Sequence, residues 1–408
     1  MISTMILKLL NKNIAVCDLE IDSGDVIWVG PAINEKYAPV CVEIDDGCVN
    51  RADVSHWYKH RSIPASRDNL RNGLENLGYQ ELGHISTPTF LLEKNYGLSL
   101  SDQYWLKPEG SNLEWSNINY FTNGFSDDVG KALFDNLCIS SPDLNSPCNS
   151  SDGWLNKKWT IIEGKRCLIK SGSKYHQEPY NEVIASEICR LLDINHTPYT
   201  LTLSKGGKAY SMCENFIDEN TELVSANDIV KSFLPNWGVS FYEHFTTCCK
   251  RLGLADVTDR LDEMLVVDYI IGNQDRHLRN FGVIRNVETL KYKGFAPIFD
   301  TGTSLRYDTP YDEIDADYDI PALPFDKTHS QQIKLVKNKD RFDLSKLKQL
   351  PEFVRQTLSR GDIIKRSRAD VLTKVIERRI SSLDKELCKG IVKVPDTNKR
   401  KNNSSRGR

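Results

Sequence analysis

No stretch of this 408-residue chain approaches the roughly 18 apolar residues that a membrane-spanning helix needs. Neither Gly-x-Gly-x-x-Gly nor Gly-x-x-x-x-Gly-Lys-Ser/Thr occurs, so the usual glycine-rich loops that cradle phosphate with backbone amides are missing. Charge of one sign is missing too. The 53 Lys and Arg stand against 56 Asp and Glu, which gives no overall bias toward nucleic acid. The 11 cysteines show neither Cys-x-x-Cys spacing nor a neighbouring histidine cluster, which argues against zinc. An odd count of cysteines fits a reducing compartment, and Met1–Leu10 has a short apolar patch without a charged leader or cleavage pattern. The expectation is a soluble, cytoplasmic protein.

What the chain does contain is the run Asn273-Gln-Asp-Arg-His-Leu-Arg-Asn280, followed by Ala-Pro-Ile-Phe-Asp300-Thr-Gly. In a kinase-type phosphoryl-transfer site one Asp accepts the acceptor's hydroxyl proton, an Asn five positions later holds a metal ion, and a further Asp at a strand end holds the nucleotide's Mg²⁺. Asp275, Asn280 and Asp300 reproduce that set, with Asn280 and Asp300 as the metal ligands. Mg²⁺ is a hard ion that takes oxygen ligands from one or two carboxylates plus substrate phosphates, which is why these residue types are needed. Taken singly, each piece also reads as an ordinary polar turn.

Asp-Arg-His-x-x-Asn, with the Asp first, resembles the catalytic loop of HipA-like serine/threonine kinases and, more distantly, of phosphatidylinositol-kinase-like enzymes. The resemblance is strongest over 159–305 and clear at 55–108. It implies an α+β, bilobal protein-kinase-like fold with an additional N-terminal α/β region and a helix-rich C-terminal lobe. It also implies ATP and Mg²⁺ as cofactors and a protein Ser or Thr as acceptor. Many family members are toxins paired with a small DNA-binding antitoxin; this chain shows no helix-turn-helix, so that partner would be another chain, with no direct nucleic-acid or membrane contact by this one. In the family the loop over the phosphates contains serine, and it can be autophosphorylated and expelled. Asn149-Ser-Ser-Asp-Gly-Trp154 is the matching segment, with Ser150, Ser151 and Gly153 as the candidates, although a flexible linker reads nearly as well.

The regions expected are 1–130 (an N-terminal α+β lobe), 131–218 (a small lobe), 219–391 (a helical catalytic lobe) and 392–408 (a disordered basic tail). Strands are expected at Ile14–Ile21 and Asp25–Val29, a helix on the spacing Leu70, Leu74, Leu77, and an exposed mobile loop over 132–155. A hairpin of Trp159–Glu163 and Arg166–Lys170, turning at Gly164-Lys165, ends on Lys170, the strand lysine that in kinases pairs with phosphates and a helix glutamate. Glu182 is the first choice for that glutamate and Glu187 the second, each also readable as a solvated helix charge. A second hairpin, 199–203 and 209–213, leads to a hinge where Glu214 and Phe216 would line an adenine site. Asp259–Ile271 is apolar on nearly every side and reads as a buried helix that Gly272 ends. Phe295–Phe299 reads as the strand delivering Asp300. His277 could contact the phosphoryl group or simply brace the loop, Arg276 shares that ambiguity, and Asp268 reads as structural. A lipid or small-molecule kinase and an idle scaffold for a DNA-binding partner are the alternatives to a protein kinase.

Overall fold

The computed structural model describes residues 5–67, 69–79, 87–235 and 237–388. An antiparallel sheet in the order β3-β2-β1-β4 opens the chain, from β1 (Met5–Asn11), β2 (Ile14–Asp22), β3 (Asp25–Val29) and β4 (Tyr104–Pro108). Helix α1 (Arg51–Arg61), capped by Asn50, lays Val54, Trp57 and Tyr58 on the core that Leu9, Leu19 and Ile21 present from the sheet. Leu70 and Leu74 lie on a short helix, Leu70–Asn76, and are buried together with Leu77. The aromatic Trp57, Tyr58 and Trp105 are core residues.

A second antiparallel sheet, β5-β6-β8-β7, is built from β5 (Lys157–Ile162), β6 (Lys165–Ser171), β7 (Thr200–Leu203) and β8 (Ala209–Glu214). The β5–β6 turn is Glu163-Gly164 rather than Gly164-Lys165, with φ values of 51° and 80°. Two left-handed residues match the twist of a two-residue hairpin, and glycine second is the favoured arrangement. The shifted turn changes the register, so that Lys157 lies opposite Lys170. Helix α2 (Glu178–Leu191) packs on this sheet and starts four residues before the expected Glu182, with Pro179 in its first turn.

Of the segment 132–155, residues 135–145 are largely exposed, as expected, but 146–151 are largely buried. Pro147–Ser150 forms a 3₁₀ turn in which Cys148 and Asn149 are buried, and Ser151 beside it is buried as well. Short polar side chains can be buried when their hydrogen bonds are met internally. Asn149 Nδ2 donates to Leu144 O (2.7 Å), Ser151 Oγ to Cys148 O (3.0 Å), and Ser150 Oγ to Leu98 O.

A third sheet, β9 (Thr221–Ser225), β10 (Gly282–Asn286) and β11 (Tyr292–Phe295), carries the remaining site segments. The strand expected to deliver Asp300 stops at Phe295, because Pro297 has no amide to continue the ladder. Ile298 N donates instead to Asn195 O (3.0 Å), and Thr197 N to Ile298 O (2.9 Å). A 3₁₀ turn leads into α4 (Leu350–Leu358), and α5 (Arg366–Cys388) follows. Residues 392–408 lie outside the described residues. No helix among the described residues is long and apolar enough to cross a membrane.

Helix α3 (Val257–Ile271) runs through the largest core, with Leu261, Val266, Val267, Ile270 and Ile271 wholly buried, and packs against α2 and α5. Gly272 stops it at φ 62°, and the Asn273 amide reaches back to Asp268 O (3.0 Å). A Cβ at Gly272 would also fall 2.6 Å from Ile320 Cδ1. Gly272→Ala is therefore expected to cost about 1–2 kcal/mol through the left-handed backbone alone, read as a lowered urea midpoint. An unchanged midpoint would show that the helix end relaxes freely.

Candidate active site

Strand β6 and helix α2 place a lysine and a glutamate face to face. Lys170 Nζ lies 2.7 Å from Glu182 Oε1 and 2.7 Å from Asp300 Oδ1, and Lys170 and Glu182 are almost completely buried. Glu182 reaches further, since its Oε2 accepts from the Thr301 amide (2.9 Å) and hydroxyl (2.7 Å). Glu187, the second choice, pairs with Arg190 on the surface of α2 (2.7 Å) and takes no part. Burial alone would lower the Lys170 ammonium, but Asp300 and Glu182 outweigh it and hold the group well above its ordinary range. Burial likewise works to raise Asp300, yet Lys170 and then Lys157 keep that carboxyl well below the usual carboxylate range.

The catalytic-loop candidate is braced from behind by Arg276, which is buried. Its Nε and Nη2 donate to the two Asp268 carboxylate oxygens (2.9 Å each), while Nη1 donates to Asn280 O and Phe299 O (2.6 Å each). Asp268 also accepts from Asn273 Nδ2 (2.9 Å), so its structural role is carried by side chains rather than by the loop backbone. Asn273 Oδ1 accepts from the Asp275 amide (3.0 Å), and Asn280 Nδ2 donates to Asp275 O (2.9 Å). This bond leaves the Asn280 amide oxygen as the atom suited to a cation. Burial raises the Asp275 carboxyl; His277 opposes that rise and Asp300 reinforces it, and the group ends above its ordinary value. Of the two roles that the sequence leaves open for His277, the structure shows the bracing one. The side chain braces the loop, accepting at Nδ1 from the Arg279 amide (3.2 Å), and it lines the cavity.

Asp275, Asn280, Asp300, Lys170 and His277 share one cavity of about 260 Å³. Phe216 lines it too, with its ring 5.3 Å from that of Phe299, and so does Glu214, whose carboxylate pairs with exposed Lys165 (2.8 Å). Gly153 borders the cavity, but Ser150 and Ser151 line an adjoining one. Arg67 holds this turn, donating to Ser151 Oγ (2.8 Å) and, through Nε and Nη2, to Gly153 O (3.0 and 2.9 Å). No group of three or more His, Cys, Asp or Glu arranged to hold a metal occurs among the described residues. A divalent ion here would take Asp300 and Asn280 and fill its shell with phosphate oxygens and water, in the manner of Mg²⁺.

Two residues escaped the sequence reading. Lys157 is half-buried in the cavity wall, and burial, the largest influence, lowers its ammonium to about 8 although Asp300 pulls the other way. Its signal was the hairpin register: with the turn placed at Glu163-Gly164, Lys157 faces Lys170. Arg67 had no local signal, because its partners lie more than eighty residues away. Two lysines beside two carboxylates and an amide oxygen form a site that can bind a polyanion and a divalent cation and can take a proton at Asp275.

No curated protein matches the chain in sequence. Among solved structures it is similar to CtkA, a Helicobacter pylori proinflammatory kinase (19% identity, 57% of this chain and 94% of that one, TM-score 0.46). It is also similar to a chain of the Shewanella oneidensis MR-1 toxin–antitoxin complex of HipA, HipB and operator DNA (13% identity, 93% and 97%, TM-score 0.49). A third likeness is to the Golgi casein kinase (12% identity, 60% and 72%, TM-score 0.30). The family described as the HipA-like C-terminal domain matches residues 150–379, a span that runs from the serine turn through Lys170, Asp275 and Asp300 to α5. With more than half of its length matched, the chain belongs to the HipA-like C-terminal domain family.

Proposed function

We propose that the protein is an ATP-dependent kinase that transfers a γ-phosphoryl group to a serine or threonine hydroxyl of another protein. The observation that carries this reading is Lys170, bonded at once to Glu182 and Asp300 in the cavity that also holds Asp275 and Asn280. Phosphoryl transfer asks the protein mainly for positioning and charge stabilisation. In this reading Lys170 and Lys157 bind phosphate oxygens, while Asp300 and Asn280 ligate Mg²⁺, which neutralises charge developing on the phosphates. Asp275 orients the acceptor hydroxyl and takes its proton. Phe216 packs on the adenine, and its backbone amide, which no described residue hydrogen-bonds, can recognise the base edge. Family membership further supports a toxin role with a separate antitoxin chain.

ATP with Mg²⁺ should raise the melting temperature, since a ligand at a hundredfold excess over its dissociation constant adds about 2.7 kcal/mol to native stability. Asp300→Asn is expected to remove the Mg²⁺-dependent part of that shift; a mutant that keeps it would overturn the ligand assignment.

Asp275→Asn should leave ATP affinity nearly unchanged while turnover falls by roughly 10²–10⁴-fold, the range for a lost general base. The base works only when deprotonated and its carboxyl is raised. Wild-type rate should accordingly fall, as the pH is lowered, through a value above that of an ordinary aspartate. A rate that falls only at or below the pH where an ordinary aspartate titrates would contradict the assignment.

Self-phosphorylation at Ser150 or Ser151 requires the turn to leave its present position, because Ser150 bonds Leu98 O and Ser151 is held by Arg67. Arg67→Ala should therefore speed incorporation of labelled phosphate at these serines, and the Ser150→Ala/Ser151→Ala double variant should abolish it. Equal labelling in all three proteins would remove the loop from regulation.

A further inference from the structure

The family match begins at residue 150, yet the walls of the candidate nucleotide cavity do not. Leu100 and Ser101, from the N-terminal region, line it together with Phe216 and Leu223. Their segment is bound from both sides. On the N-terminal side, Arg61 donates to both carboxylate oxygens of Asp102 (2.7 and 3.0 Å) and to Gly97 O (3.0 and 2.8 Å). On the hinge side, Asn215 Nδ2 donates to Leu100 O (3.0 Å) and Leu223 N to Ser101 O (2.9 Å), while buried Gln103 donates to Asp218 O (3.0 Å) and Thr221 O (2.6 Å). Eight well-formed bonds fix this segment; they do not occupy the Ser101 side chain, which belongs to an exposed residue. Its hydroxyl lies 2.8 Å from Ser99 Oγ and 3.3 Å from Asp102 Oδ2, so that a small polar cluster sits beside the apolar surface of Leu100.

We propose that Leu100 and Ser101 are nucleoside-binding residues and that the N-terminal region thereby completes the nucleotide site. This rests on the kinase reading above. Leu100 supplies an apolar wall against the base, next to Asn215 in the hinge. The Ser101 hydroxyl, able both to donate and to accept, takes a hydroxyl or ring-edge group of the nucleoside. The phosphates remain with Lys170, Lys157 and the metal ligands, at the part of the cavity where Asp300 lies. Affinity for the nucleoside portion and affinity for the phosphate chain should therefore be separable by mutation.

The experiment uses the full chain with Mg²⁺ and two probes, ATP and inorganic tripolyphosphate, with binding measured by calorimetry. Ser101→Trp, which places a large side chain at an exposed position, should weaken ATP at least tenfold while leaving tripolyphosphate affinity within about twofold. Ser101→Ala should weaken ATP by a smaller factor, severalfold, and also spare tripolyphosphate. The unliganded melting temperature should match wild type in both variants. ATP affinity unchanged in the Trp variant would overturn the inference, as would equal loss of both probes, which would mean that the whole cavity had been disturbed. If the wild-type protein binds tripolyphosphate and ATP equally well, the site has no nucleoside wall and the inference falls while a phosphate site stands. A wild-type protein that binds neither overturns the kinase reading itself, and this inference with it.

Discussion

The guanidinium of Arg276 is the constraint on which the site depends. Almost completely buried, it must satisfy its donors inside the protein, and it does so on Asp268, Asn280 O and Phe299 O. Those partners belong to three separate pieces: the end of α3, the far end of the catalytic-loop candidate and the residue before Asp300. Removing one partner of such a buried pair typically costs about 3–5 kcal/mol, because the charge left behind has no solvent. The cost of disorder is what keeps Asp275, Asn280 and Asp300 in one cavity, although none of the three shares a regular element with another.

Lys170 performs the corresponding service between the second sheet and the helical half. Its ammonium touches one carboxylate from α2 and one from the segment after β11. The pair of contacts holds a strand, a helix and a loop in a single charge cluster. Asp300 itself sits at φ 55°, a left-handed conformation that aspartate tolerates better than most residues. Its Oδ1 is engaged by Lys170, so binding a metal at Asp300 means sharing or releasing that contact. Lys157 lines the same cavity, so a second ammonium stands near this cluster.

The N-terminal region enters this arrangement through two arginines. Arg67 clamps the turn that carries Ser151 and Gly153, and Arg61 anchors the segment that carries Leu100 and Ser101. Each uses several donors on backbone carbonyls or a carboxylate, which fixes direction as well as distance. A buried pair of Glu222 in β9 and Arg285 in β10, with Arg285 also donating to Tyr104 OH (3.1 Å), joins β4 to the third sheet. The N-terminal sheet is consequently tied to the elements that surround the cavity.

Residue chemistry at short range was legible in the sequence. The spacing of Asp275 and Asn280, the apolar α3, the stop at Gly272 and the inward stripe of α2 bearing Glu182 all follow from local periodicity and from the conformational freedom of one glycine. Several local readings failed for physical reasons, two of them at the small lobe. The turn between β5 and β6 was placed one residue late, because Glu163 accepts a left-handed backbone that its type does not advertise. The stretch 146–151 of the expected exposed loop 132–155 is largely buried, because composition counts polar atoms but not the internal partners that satisfy them. What tertiary structure alone decided is the meeting of distant groups: Lys157 opposite Lys170, Arg67 on the serine turn, Arg276 across three segments, and Leu100 with Ser101 in the cavity wall. These contacts depend on register, on buried charge finding its partner and on the close approach of segments far apart in the chain, none of which a local pattern of residues specifies.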